Sequence, residues 1–255
     1  MATESAAQSA KALAREPKNR AAFAFAQKML ESPEVAEAYE ALFGDLRLAP
    51  PLQSGNAILV TSAAPGEGKT TVATCLAITA SRAGRTALLI DGDLRRPALT
   101  AEAGSADTPG FLEVILGEVD AADAIRPVAA APDSAGVGAV SVMSGGRKPP
   151  MLLGAVDWTR ARSAFRAMSQ GFDYVFLDSP PILAANDALL FAGVVDAVLL
   201  VVGAGNGNLD EIRRAKEQLE AIGTPIVGAV LNRFEPKLHG PSNRPYSGYY
   251  QPARA

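Results

Sequence analysis

The sequence predicts an α/β fold, a mainly parallel sheet with helices on both faces, and three observations predict it. Short apolar runs at 57–62, 85–90, 139–143, 172–177, 196–202 and 225–231 have the length and continuity of strands buried on both sides. Helical spacing follows at 71–78, 156–168 and 208–222, and strands alternating with helices call for parallel pairing through crossovers. Glycine-rich or acidic loops close several of the runs, at the strand ends where ligands bind in such sheets.

Composition narrows the function classes. A chain of 255 residues that is 48% apolar suits one large domain with appendages. Its formal net charge of −3 gives no basic footprint for nucleic acid, so no nucleic-acid partner is expected. One cysteine, Cys75, and one histidine, His239, supply neither a disulfide framework nor a Cys/His metal cluster. Cys75 reads as a small buried apolar residue and His239 as solvated. The longest apolar stretch, 191–205, is broken by Asp196 and is too short to cross a bilayer. Residues 1–5 lack the basic and apolar segments of a leader. The expectation is a soluble cytoplasmic protein that reaches a membrane only through a partner.

Taken in order, residues 1–50 are rich in Ala, Glu, Lys and Arg and read as two or three helices and a linker. Pro17 and Ser32-Pro33 mark boundaries, with Ser32 as a cap and Pro33 at the first helical position. The helix over 34–48 carries Val35, Tyr39, Leu42 and Leu46 on one side, a face able to dock on the domain or on a neighbour. Pro50-Pro51 and Ser54-Gly55 complete the linker. The main domain spans 51–235.

The first strand, 57–62, runs into Ala63-Ala64-Pro65-Gly66-Glu67-Gly68-Lys69-Thr70, and helical spacing resumes at Thr71. Glycines in a strand-to-helix turn let backbone N–H groups close around an anion at a helix N-terminus. Lys69 is spaced to reach β and γ phosphates, and the Thr70 hydroxyl to ligate Mg²⁺. The position that usually holds the first glycine is Ala63. The architecture is therefore P-loop NTPase-like, with residues 64–71 as the nucleotide cradle.

The strand at 85–90 closes on Asp91-Gly-Asp93-Leu-Arg-Arg-Pro97, so both acids reach the rim that carries the phosphate loop. Residues 101–138 read as loop with small helices, including one at 111–116. After the strand at 139–143 comes a turn at 144–150, then the helix at 156–168, where Trp158 and Phe165 read as packing residues. The strand at 172–177 ends in Asp178-Ser-Pro-Pro181, an apolar strand closing on an acid suited to hold Mg²⁺ directly or through water. Charges on the helix at 208–222 read as a solvated face. Asn232, after the last strand, either reads a base edge or is a turn residue. Residues 236–255 are rich in Pro, Gly and Asn, and read as a disordered tail that nonetheless carries Tyr246, Tyr249 and Tyr250.

Four ordered stretches, Ala63-Ala-Pro-Gly-Glu-Gly-Lys-Thr-Thr71, Leu88-Leu-Ile-Asp-Gly-Asp-Leu-Arg-Arg-Pro97, Pro109-Gly-Phe-Leu-Glu-Val-Ile-Leu-Gly117 and Asp173-Tyr-Val-Phe-Leu-Asp-Ser-Pro-Pro181, resemble the bacterial tyrosine kinases of exopolysaccharide and capsule assembly, kin of the MinD/ParA ATPases. The resemblance runs from about Glu37 to the end. It implies ATP and Mg²⁺ as cofactors, a homo-oligomeric ring, and phosphorylation of the tail tyrosines Tyr246, Tyr249 and Tyr250. It also implies activation by the cytoplasmic end of a membrane-embedded chain-length regulator, which would recruit the chain to the inner face of the membrane. Lys69 and Thr70 match the family's first motif, Asp91 and Asp93 the second, and Asp178 the third. Asp91 and Asp93 are the candidates for the base that accepts the tyrosine proton, with Asp91 favoured and Thr70, Asp93 and Asp178 holding Mg²⁺.

Two departures accompany the match. The family's ring helix usually reads Glu-x-x-Arg-x-x-Arg, whereas this chain has Glu37-Ala-Tyr-Glu40-Ala-Leu-Phe43; an acid in place of a pairing arginine turns attraction into repulsion. The usual Asn-Pro is also missing near Pro149-Pro150-Met151. Two other readings stand beside the kinase. A MinD/ParA-like ATPase switch would place a lysine where Ala64 stands, and a non-catalytic scaffold would let the site decay, yet Lys69, Thr70, Asp91, Asp93 and Asp178 are all present.

Overall fold

In the computed structural model, described over residues 21–53, 55–99, 108–128, 138–147, 153, 156–205 and 207–234, the expected parallel sheet is present. Its strands are β1 (Ala57–Ser62), β2 (Thr86–Asp91), β3 (Ile125–Val128), β4 (Ala139–Met143), β5 (Tyr174–Asp178), β6 (Ala197–Gly203) and β7 (Ile226–Asn232). Among the described residues these seven lie in the order β3-β4-β2-β5-β1-β6-β7, and every pairing is parallel except β3 with β4. The edge strand β3 falls where the sequence reads as loop. Its Pro127 cannot donate to a ladder, which argues against a central strand and permits an edge.

Alternation along β1 sends Ala57 and Leu59 to one core layer and Ile58 and Val60 to the other, which is why its apolar run is unbroken. One layer is covered by α1 (Ala21–Met29), α2 (Pro33–Leu48) and α3 (Lys69–Arg82), whose Phe23, Tyr39, Phe43, Leu46 and Leu76 are buried there. The other is covered by α4 (Phe111–Leu116), α5 (Ala121–Ala124), α6 (Trp158–Ser169), α7 (Asp187–Ala192) and α8 (Leu209–Ile222). Trp158 and Phe165 pack in that layer, as expected. The helix α7 was not legible as one: its residues merge with the apolar stretch that continues into β6, and periodicity alone cannot divide them.

The N-terminal helix α2 docks on its own domain. Pro33 sits at its start, but Ser32 makes no side-chain cap bond. Phe43, where the resemblance implies an arginine, is buried and meets Tyr174 edge to face at 4.9 Å. Glu37 and Glu40 face outward. Cys75 is a fully buried residue of α3, as read from the sequence, and shares a hydrogen bond with Tyr39.

Candidate nucleotide site

Three loops meet at the carboxyl ends of β1, β2 and β5. The first is the turn from β1 into α3. Gly68, immediately before the helix, has φ +97°, and a Cβ there would sit 2.0 Å from Asn232 Nδ2; only glycine meets both conditions. Glu67 is buried, and its carboxylate accepts from the N–H of Ala64 at 2.8 Å and from that of Gly203 at 3.1 Å. The Glu67 carbonyl accepts from Asn232 Nδ2 at 2.9 Å. The loop is thus strapped to the ends of β6 and β7. Asn232 is brought to the site, but its amide braces the loop.

The second and third loops come from adjacent strands in register, Asp91 opposite Asp178. Gly92 donates to the Asp178 carbonyl at 2.7 Å, and a Cβ on Gly92 would lie 2.5 Å from that oxygen. The segment after Asp178 is pinned to β1, with Thr61 Oγ1 donating to the Pro180 carbonyl at 3.1 Å and the Ile182 N–H to the Ser62 carbonyl at 2.9 Å.

Thr70 Oγ1 donates to Asp178 Oδ2 at 2.5 Å, while Asp178 Oδ1 is buried with no hydrogen-bond partner. Burial lifts the Asp178 carboxyl to about 7, against the Thr70 hydrogen bond, with further elevation from the charge of Asp91. Lys69 is only 8% exposed. Burial lowers its pKa, opposed by the charges of Asp178, then Asp93, then Glu67. Lys69, Asp93 and Gly66 share a cavity of about 360 Å³ with Pro180 and Pro181, within the range of small-molecule sites.

The orphaned oxygen of Asp178 beside the Thr70 hydroxyl fits Mg²⁺. Among the described residues no cluster of three or more His, Cys, Asp or Glu side chains would enclose a metal unaided. That donor set suits an ion that brings phosphate oxygens and water with it, as Mg²⁺ does.

Asp91, favoured as base from the sequence, is committed to its own loop. Asp91 is fully buried, its Oδ2 accepting from the Leu99 N–H at 2.8 Å and its Oδ1 from the Asp93 N–H at 3.3 Å. Both oxygens are spent shaping the loop, and the acid of that motif that faces the cavity is Asp93. Tyr246, Tyr249 and Tyr250 lie outside the described residues, as do His239 and the 149–151 segment. Sequence reasoning missed Asp187, a buried acid at the start of α7 that holds Arg95 Nε at 3.0 Å; nothing in its neighbours marks it as part of a site.

A mainly parallel sheet with a phosphate loop after β1 and acids closing the next two strands, β5 and β2, defines a nucleotide-binding protein of the P-loop class. The model of the CobQ/CobB/MinD/ParA nucleotide binding domain matches residues 58–247. Tyrosine-protein kinase YwqD of Bacillus subtilis (strain 168) is 30% identical over 199 residues, covering 77% of this chain and 80% of YwqD. Tyrosine-protein kinase CpsD of Streptococcus pneumoniae serotype 4 is 32% identical over 215 residues, covering 82% and 89%. Of solved structures, the kinase domain of the Escherichia coli tyrosine kinase ETK superposes with a TM-score of 0.64 at 26% identity, covering 81% of this chain and 82% of that one. The chain belongs to the MinD/ParA nucleotide-binding family and, within it, to the bacterial tyrosine-protein kinases.

Proposed function

We propose that this chain is an ATP-dependent tyrosine autokinase of exopolysaccharide or capsule assembly, with Tyr246, Tyr249 and Tyr250 as acceptors. The observation that carries the reading is the meeting of Lys69, Asp93 and the half-unpaired Asp178 beside one glycine-lined loop. Backbone N–H groups of residues 66–71 hold the phosphates, and Lys69 neutralises charge that develops on the γ-phosphoryl oxygens. Thr70 and Asp178 would hold Mg²⁺, with Asp93 nearby on the cavity side. Such an ion would supply charge neutralisation for the phosphates when bound.

In the transfer, the acceptor tyrosine oxygen forms a bond to Pγ as the bond from Pγ to the bridging oxygen breaks, and ADP departs with that oxygen. Asp93 takes the phenol proton, because it is the cavity-facing carboxylate of its loop. A membrane-embedded chain-length regulator as activator, a homo-oligomer, and recruitment to the inner face of the membrane complete the proposal. The acid face of α2 and the inward Phe43 favour an oligomer contact different from the arginine-based one. The test is incubation of the chain with Mg-ATP, with and without a candidate activator, followed by location of phosphate by mass spectrometry. Phosphate on the tail tyrosines that is lost in Lys69→Met supports the kinase; hydrolysis with unmodified tyrosines supports an ATPase switch instead.

A further inference from the structure

Charge is divided unevenly between two helices on opposite faces of the sheet. The helix α2 holds Glu34, Glu37, Glu40 and Asp45 against a single cation, Arg47, a net charge of −3. Arg47 hydrogen-bonds Tyr174, whereas the four acids are exposed. The helix α6 holds Arg160, Arg162 and Arg166 and no acid, a net charge of +3. By contrast, α8 mixes both signs and closes ion pairs within itself, Arg213 with Asp210 and Lys216 with Glu220. Among the described residues, none of the four α2 acids, and neither Arg162 nor Arg166, takes part in an ion pair.

Like charges three or four residues apart repel along a helix. Glu34, Glu37 and Glu40 follow one another at a spacing of three, and Arg162 and Arg166 stand four apart, so an opposite face would relieve each. Both faces also allow close approach. The exposed residues beside the charges are small, Ala38 and Ala41 on α2 and Ser163 and Ala167 on α6, and small side chains at a contact let helix axes come together. We propose that the acidic face of α2 docks on the face of α6 that carries Arg162 and Arg166 in a second copy of this chain. Within one copy the two are separated by the sheet, since Phe43 of α2 packs in one core layer and Phe165 of α6 in the other. The contact therefore joins two different surfaces, and head-to-tail contacts of that kind close into rings or run on as filaments and do not stop at a two-fold pair. The proposal deepens the homo-oligomer part of the reading above by naming the two surfaces that meet.

Sedimentation velocity of the full-length chain tests it. The wild type should self-associate at low ionic strength, and added salt should weaken the association by screening. Glu37→Arg with Glu40→Arg should weaken it about a hundredfold, and Arg162→Glu with Arg166→Glu by a similar factor. The two variants mixed, or all four reversals in one chain, should associate again, because opposite charges face each other once more. Arg162 also donates to the Gly193 carbonyl, so if the α6 variant melts early, Arg166→Glu alone and the α2 variant decide. A wild type that stays monomeric, variants that associate as it does, or a mixture and a four-fold reversal that stay apart each overturn the contact. A monomeric chain that sediments with phosphatidylserine vesicles through Arg162 and Arg166 also overturns it and gives the α6 face to a lipid surface. Tyrosine modification by a chain that never associates removes the contact and keeps the kinase reading, whereas charge-dependent association of a chain that modifies no tyrosine supports the contact and removes the kinase.

Discussion

The loops after β2 and β5 start from the same residue at the same register and end differently. Asp91 and Asp178 are partners across adjacent strands and both are buried. Asp91 has its two oxygens committed to N–H groups of its own loop. Asp178 receives one hydroxyl and keeps a buried oxygen unpaired. A buried carboxylate left short of partners costs a folded protein free energy. The contrast teaches that the satisfied acid builds the rim and the unsatisfied one is kept for a ligand. Glu67 sides with Asp91, because both of its oxygens are spent on backbone amides.

The sharpest way to break this contrast is through turnover. Asp178→Asn should lower kcat for transfer by about 10²–10³-fold, as should Lys69→Met, since each removes charge aimed at the transferring group; a rate within tenfold of wild type would remove Asp178 from the chemistry. Stability divides the two acids next. Asp91→Ala strands two backbone donors and should cost about 2–3 kcal/mol in urea denaturation, whereas Asp178→Ala should be neutral or stabilising without ligand. Equal losses would erase the distinction. Glu67→Gln retains one acceptor and should cost about 1–2 kcal/mol in the same measurement, with a weaker effect on Mg-ATP affinity than Asp178→Asn.

The smallest effect is one of pH. Burial holds the Asp178 carboxyl at about 7 in the fold, above its value near 4 in the unfolded chain. Its contribution to stability is complete below that unfolded value and is lost as pH rises through the folded one. Without Mg²⁺ or nucleotide, stability should fall by on the order of 1 kcal/mol between about pH 6 and pH 8. Asp178→Asn should flatten that slope, and a slope unchanged by the substitution would place the titration elsewhere.

Much of the fold was legible because continuous apolar runs and a strand-loop-helix phosphate motif leave few alternatives. The runs around 57–62 and 172–177 became β1 and β5 within a residue or two. The strand Ile125–Val128 was not legible, because its four residues include Arg126 and Pro127 and it exists only by pairing with β4. Phe43 looked like a change in an intermolecular contact. It proved to be core, since helical phase alone does not say how far a docking face extends around α2.

The sequence by itself determined the parallel strands, the glycine loop after β1 and the set of charged residues delivered to one rim, because spacing and strand polarity dictate which ends carry which residues. The tertiary structure alone decided how those charges divide. Whether a carboxylate meets an amide, a hydroxyl or nothing depends on neighbours contributed by segments 8 to 136 residues away, as with Leu99 for Asp91, Thr70 for Asp178 and Gly203 for Glu67, and no local pattern encodes those meetings.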